Sequence, residues 1–300
     1  MSPIKIIREN RNVQGVCWMI ASSFLFVSMT GIVRHLGSSI PAIEAAFIRY
    51  AFGLLLILPL LIRHWPKHTS KKIYGLYSVR ALVHGVGVML WFFAMARIPI
   101  AEVTAIGYIS PVFVTIGAAL FLGEKLRARR IVGVFIGLLG TAIILRPGFQ
   151  ELNLGQLAQL CAAPLFAISF LVAKKLTDTE NTYVIVGMLS LGCTIVLLPG
   201  AILQWRAPTI EELSWLMLTA VFATLGHFTL TKAFTAAPIT LTQPLGFLQL
   251  VWAAILGMVV FNEPVDPFVI TGGIIIITAT TYISHRELKA NRKPPKQARV

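Results

Sequence analysis

Ten apolar stretches of roughly membrane-crossing length, joined by short polar segments, leave this 300-residue chain few ways to fold. A hydrocarbon core of about 30 Å takes about 20 apolar residues as a helix, because in lipid the backbone must satisfy its own hydrogen bonds. Scanning at that length predicts helices at 13–35, 42–62, 73–96, 100–122 and 131–145, then at 155–174, 183–204, 212–236, 240–261 and 268–284. Charged residues are 13% of the chain, against about 25% in soluble proteins, which leaves too little polar surface for an aqueous globule. An all-α membrane protein with ten transmembrane helices is the expected fold. No cleavage site stands out after the first stretch, which reads as a retained helix. Cys17, Cys161 and Cys193 lie in apolar runs without the paired spacing of a disulfide framework or zinc site, and read as small core residues.

A net charge of +14 would suggest nucleic acid in a soluble protein, but the positions of the charges argue otherwise. Lys5, Arg8 and Arg11 precede the first helix, Arg63 to Lys72 lie between the second and third, and Lys125 to Arg130 between the fourth and fifth. Lys174 and Lys175 end the sixth helix, and Arg286 to Arg299 fill the tail. Nineteen Lys and Arg thus fall on one side; the other has four, Arg34, Arg97, Arg146 and Arg206. Short cytoplasmic loops keep positive charge, so both termini are expected in the cytoplasm. Residues 1–12 read as a cytoplasmic segment. Residues 286–300, with Pro294 and Pro295, read as a basic, unstructured tail against the lipid surface.

The chain repeats itself. At an offset of 140, Gly15, Leu25, Phe26, Leu36, Leu58, Pro59 and Ile62 meet Gly155, Leu165, Phe166, Leu176, Leu198, Pro199 and Ile202. At 139, Ala94, Pro99, Gly107, Val112, Glu124, Gly133 and Thr141 meet Ala233, Pro238, Gly246, Val251, Glu263, Gly272 and Thr280. Each unit, 13–146 and 155–285, holds five predicted helices. An odd number makes the second enter the membrane from the opposite side, an inverted repeat, which in secondary transporters puts the substrate near the midplane between the halves.

The run from Ile98 to Glu124, with Pro99, Pro111 and Leu122-Gly123-Glu124, followed by Gly133 and Gly137, resembles the fourth and fifth helices of the EamA domain of the drug/metabolite transporter superfamily. Pro238 to Glu263, followed by Gly272 and Gly273, resembles the same stretch of a second such domain, with Asn262 in place of a glycine and Leu250 in place of the mid-helix proline. The resemblance covers residues 13 to 285. It implies ten helices in two inverted repeats that move small metabolites, amino acids and vitamin-like compounds among them, across the cytoplasmic membrane.

Polar features present in both halves read as architecture, and those in one half as candidate site residues. Arg34 and His35 align with Lys174 and Lys175 and suit helix C-termini. Glu124 and Glu263 also close helices, where a carboxylate opposes the dipole and needs a neighbouring helix N-terminus or a basic loop as partner. Arg49 aligns with Leu189 and lies roughly 5 Å from the midplane at 1.5 Å per residue. The resemblance implies a basic residue is common there, so a structural role and substrate binding stay open. In the third helix Arg80, His84, Gly87 and Trp91 follow at intervals of four, three and four, putting a cation, a titratable ring and an aromatic platform on one face. Thr104, Tyr108, Pro111 and Thr115 form a stripe on the fourth, with Tyr108 aligned to Phe247 and Pro111 expected to kink the helix. His227 sits near the centre of the eighth helix with Thr224 and Thr231, and Lys232 near its end reads as an interfacial snorkel. Gln243 and Gln249 of the ninth are buried amides that bond either helices or ligand.

Enzymatic motifs find little support: no HExxH, no P-loop and no paired carboxylates at depth. With no acidic residue near the midplane, a histidine relay through His84 or His227 is the one proton path visible in the sequence. The small residues Ala21, Ser22, Ser23, Ala162 and Ala163 of the first and sixth helices allow close helix contacts. The expectation is a carrier working by alternating access on a small-molecule substrate. Its partners are that substrate and the bilayer, without nucleic acid or cofactor, and a homodimer stays open. Two unpaired cations at depth, Arg49 and Arg80, favour an anionic or zwitterionic substrate with a planar or apolar portion, with Arg80 its expected anchor. An intramembrane lipid- or metabolite-modifying enzyme and a passive channel are the alternatives.

Overall fold

The computed structural model describes residues 3–65, 70–110, 112–113, 128–146, 152–237, 242, 245, 248–264 and 266–291. They form ten helices and no strand: α1 (Pro3–Leu36), α2 (Ala42–Arg63), α3 (Lys71–Met95), α4 (Ile100–Gly107), α5 (Ala128–Leu145), α6 (Leu154–Leu176), α7 (Thr182–Leu203), α8 (Ile210–Ala236), α9 (Leu248–Phe261) and α10 (Pro267–Asn291). Six are long and apolar enough to cross a membrane: α1 from Arg11 onward, α2, α3, α6, α7 and α8. Shorter apolar helical segments run Phe135–Leu145, Leu248–Phe261 and Pro267–Ala279. Local sequence fixes the starts. Asn153 with Gln156, and Thr209 with Glu212, form capping boxes at α6 and α8.

Several boundaries differ from expectation. α1 starts at Pro3 and α10 continues to Asn291. Residues 4–12 and 285–291 contain neither Gly nor Pro, so nothing in them stops a helix, and Pro3 suits a first turn. The expectation of an unstructured tail therefore fails for residues 286–291. The helix expected over 100–122 is interrupted: the N–H groups of Tyr108 and Ile109 bond to Ala105 O and Ile106 O, each at 3.1 Å and only three residues back. Pro111 offers no N–H to the Gly107 carbonyl, which removes the helical alternative there. Glu124 and Pro111 themselves lie outside the described residues. Cys17 and Cys161 are exposed on the outer face, leaving Cys193 as the one buried cysteine.

Packing runs between the halves. α1 lies along α8 and α6 along α3, while α2 packs on α7, α4 on α9 and α5 on α10. Under the sequence offset α6 is the counterpart of α1 and α8 of α3, so the first two contacts are one arrangement formed twice. A polar bond within each half recurs as well, from the end of α1 to α3 and from the end of α6 to α8: Arg34 Nη1 donates to Met95 O at 2.9 Å, and Lys174 Nζ to Phe234 O at 2.6 Å. The small residues bond across the halves, Ser22 in the α1–α8 seam and Ala163 of α6 to the segment after α4. Ser22 Oγ donates to Gly226 O in α8 at 3.0 Å, and Ala163 O accepts from Ser110 Oγ at 2.9 Å.

The helix ends gather at two poles. At one, Arg34 meets Glu263, Glu44 Oε2 accepts the Arg206 N–H at 3.0 Å, Gln156 Nε2 donates to Glu102 at 2.6 Å, and Arg146 pairs with Asp266. At the other, Tyr77 OH donates to Glu180 at 3.0 Å, and His64 stacks on Tyr183 with ring centroids 4.9 Å apart. Between the poles the exchanged helices enclose the centre of the bundle.

Candidate functional site

Helical spacing brings one face of each of several helices to the centre. Phe26, Met29 and Thr30 of α1, and His84, Val88 and Trp91 of α3, recur at three- and four-residue intervals. Phe166 and Phe170 of α6 do the same, and Arg49, His227 and Gln249 come from α2, α8 and α9. Together with Phe92 they line a cavity of about 160 Å³. Sites for drug-sized ligands run from about 300 Å³, so this one, as shaped here, fits a small molecule or one portion of a larger one.

The walls are aromatic. The His84 and His227 rings meet edge to face at 5.1 Å, with Phe26 at 5.2 Å from His227 and Phe166 at 5.2 Å from His84. The polar groups are few and under-bonded. Arg49, 3% exposed, lays its guanidinium 3.4 Å over the ring of its neighbour Tyr50. Its Nε and Nη2 have no hydrogen-bond partner among the described residues. His84 Nδ1 lies 2.9 Å from Ser169 Oγ, while His84 Nε2 and His227 Nδ1 are likewise unpartnered. None of the lining residues is acidic. Buried donors without acceptors cost about 1–3 kcal/mol each, more when charged, so this arrangement gains most from a ligand that supplies acceptors. No group of three or more His, Cys, Asp or Glu suited to a metal ion occurs among the described residues.

A second cavity, about 330 Å³, opens toward the pole that holds Arg34 and Glu263. Gly37, Ser38, Ile40 and Pro41 of the α1–α2 loop line it with Met89, Phe93, Arg97 and Gln204. Phe92 belongs to both cavities and stands between them.

Of the residues singled out in the sequence, Arg49, His84, Trp91, His227 and Gln249 share the central cavity. Arg80 does not reach it. It is 2% exposed and its Nη1 donates to Ile185 O of α7 at 3.1 Å. Tyr108 sits at the interruption after α4, bonded to the Leu250 backbone. Gln243 lies outside the described residues. Lys232 is 5.5 Å from the Phe228 ring and 6.0 Å from that of Tyr183. Sequence reasoning passed over Phe26, Phe166, Phe170 and Ser169. The signal for two of them is the repeat itself, in which Phe26 and Phe166 correspond, but the sorting rule weighs polar features alone and passes over aromatic ones.

The model of the EamA-like transporter family matches residues 13–146 and 153–285. An S-adenosylmethionine uptake transporter of Rickettsia bellii is 30% identical over 280 residues, covering 93% of this chain and 96% of the relative. A riboflavin transporter of Brucella anthropi is 28% identical, covering 91% and 99%, and a pseudopaline exporter of Pseudomonas aeruginosa is 28% identical, covering 90% and 95%. A crystal structure at 16% identity aligns with a TM-score of 0.61 over 91% of this chain and 97% of the other, a likeness of fold.

Proposed function

Because the chain belongs to the EamA-like transporter family, we propose that it is a secondary carrier moving a small anionic or zwitterionic metabolite with a planar or apolar portion across the cytoplasmic membrane by alternating access. The intramembrane enzyme is set aside, since the family and its named relatives are transporters. In this reading residues 13–146 and 155–285 are inverted repeats of five spans each, a view supported by the exchanged packing of α1 with α8 and α6 with α3. Both termini are cytoplasmic.

One observation carries the substrate class. Arg49, His84 and His227 present nitrogens without partners among the described residues in a single aromatic cavity whose described lining holds no carboxylate. A carboxylate or phosphate would satisfy Arg49, and Trp91 with Phe166 would hold a ring or apolar chain. The anchor is therefore Arg49 rather than Arg80. Of the compounds in the relatives' names, S-adenosylmethionine has both a carboxylate and a planar ring, whereas riboflavin has the ring alone. The cavity chemistry accordingly favours an amino-acid-like zwitterion.

Counterflow in proteoliposomes tests this. Labelled S-adenosylmethionine, amino acids and riboflavin are offered against unlabelled internal compound. Trans-stimulated uptake of a carboxylate-bearing compound is expected. Flux indifferent to the trans side would favour a channel, and uptake confined to purely cationic compounds would overturn the substrate class.

A further inference from the structure

We infer that Ser169, a residue of α6 in the second half of the chain, is a positioning residue that holds His84 of the first half as a hydrogen-bond donor, making the Arg49–His84 side of the cavity a receptor for acceptor-only groups such as carboxylate or phosphate. This deepens the reading of the cavity as the substrate site and rests on it.

Ser169 is fully buried, and its hydroxyl has one hydrogen-bond partner among the described residues, His84 Nδ1 at 2.9 Å. Other helical hydroxyls behave differently: Ser23, Thr30 and Thr231 each donate to the carbonyl four residues back, at 3.0, 2.8 and 2.8 Å. The Ser169 proton has no such outlet, so it has the imidazole alone. A neutral imidazole carries one N–H, and the serine can meet Nδ1 in two ways. If Nδ1–H donates to Ser169, the serine proton is left with no acceptor among the described residues. If Ser169 donates to Nδ1, the imidazole proton sits on Nε2, which is unpartnered beside the cavity. The second arrangement leaves its one open donor where a ligand can reach it, and the first leaves one where none can. The guanidinium of Arg49 has donors only. Two neighbouring walls thus offer N–H groups and no lone pair. His227, whose Nδ1 has no partner to fix its tautomer, and the amide of Gln249 remain adaptable for the rest of the ligand.

The test is magnetic resonance on the full chain in lipid nanodiscs with 15N-labelled histidine, where protonated and unprotonated ring nitrogens resolve well apart. His84 is assigned by its loss in His84→Gln. The expected wild-type pattern is an unprotonated Nδ1 and a protonated Nε2. Ser169→Ala is expected to give a mixture of tautomers and Ser169→Thr to restore one. A wild-type His84 protonated at Nδ1, or a pattern unmoved by Ser169→Ala, overturns the inference. Benzoate and benzamidine share a shape but are acceptor-only and donor-only. Benzoate is expected to shift the His84 Nε2 resonance and benzamidine to leave it. A protonated Nε2 with no response to benzoate, acetate or phosphate would uphold Ser169 and sink the anionic reading of the cavity, so the two failures are told apart.

Discussion

Arg34, in the last turn of α1, holds Glu263, just beyond α9, with Nε 2.7 Å from Oε1. The other oxygen of that carboxylate accepts the Ile100 N–H at 2.9 Å, at the start of α4, and the guanidinium also donates to Met95 O at the end of α3. Four helix ends meet on two side chains. The carboxylate that ends one helix against its dipole is thereby placed at the favourable end of another. Glu263→Gln keeps an acceptor for Ile100 and removes the charge, so a loss of about 1–2 kcal/mol is expected. Glu263→Ala also orphans the Ile100 N–H and should cost more. Apparent melting temperatures of the purified variants decide it; equal values for wild type and Glu263→Ala would show that the junction contributes nothing.

Gly272 and Gly75 should respond to alanine with opposite signs. A Cβ on Gly272 would lie 2.5 Å from the carbonyl oxygen of Gly140, backbone against backbone where α10 crosses α5. The helices would have to separate, at about 1–3 kcal/mol. Gly75, within α3, has nothing within 4 Å of its Cβ position. Gly75→Ala should therefore gain about 0.5–1 kcal/mol from helix propensity. Thermal unfolding in one detergent reads both signs.

The helices were legible because lipid leaves the backbone no alternative, and the two halves because Pro, Gly and Glu recur at nearly fixed spacing. Depth was harder to read. Intervals of four, three and four place Arg80, His84, Gly87 and Trp91 on one face of α3. That face is longer than the cavity, which takes His84 and Trp91 and leaves Arg80 against α7. Gly87 proves to be packing, since a Cβ there would lie 3.2 Å from the Phe166 ring. Sorting by polar features alone also hid Phe26 and Phe166, which line the cavity because it lies where the exchanged helices meet.

Orientation is open to labelling. Ala207, in the α7–α8 connection, and Thr179, between α6 and α7, are both exposed and lie at opposite poles. With the basic residues in the cytoplasm, a membrane-impermeant thiol reagent on intact cells should label Ala207→Cys and spare Thr179→Cys until the cells are permeabilised. The reverse pattern would invert the topology.

Phe92 stands between the central cavity and the larger one beside Gly37 and Arg97. Its removal should join them. In a Thr30→Cys background, where Thr30 lines the central cavity, Phe92→Ala is expected to raise the rate of modification by a small polar thiol reagent several-fold. An unchanged rate, with normal folding, would mean that the barrier is formed elsewhere.

Arg49 and Arg80 are both buried cations, yet they should fail in different assays. Arg49 borders the cavity with Nε and Nη2 unpartnered, so a bound acceptor gains charge-assisted bonds that a glutamine only partly replaces. A bond to a charged group is worth about 1.5–3 kcal/mol, so Arg49→Gln should weaken substrate binding by about tenfold or more. Arg80 instead ties α3 to α7 through Ile185 O, with no place on the cavity wall. Arg80→Gln should lower the apparent melting temperature while leaving affinity within about twofold. Binding is read from the ligand-induced melting shift, which tracks occupancy against each variant's own unliganded baseline and so separates affinity from stability. A tenfold loss in Arg80→Gln with Arg49→Gln unaffected would return the anchor to α3 and remove the electrostatic basis for the proposed substrate class.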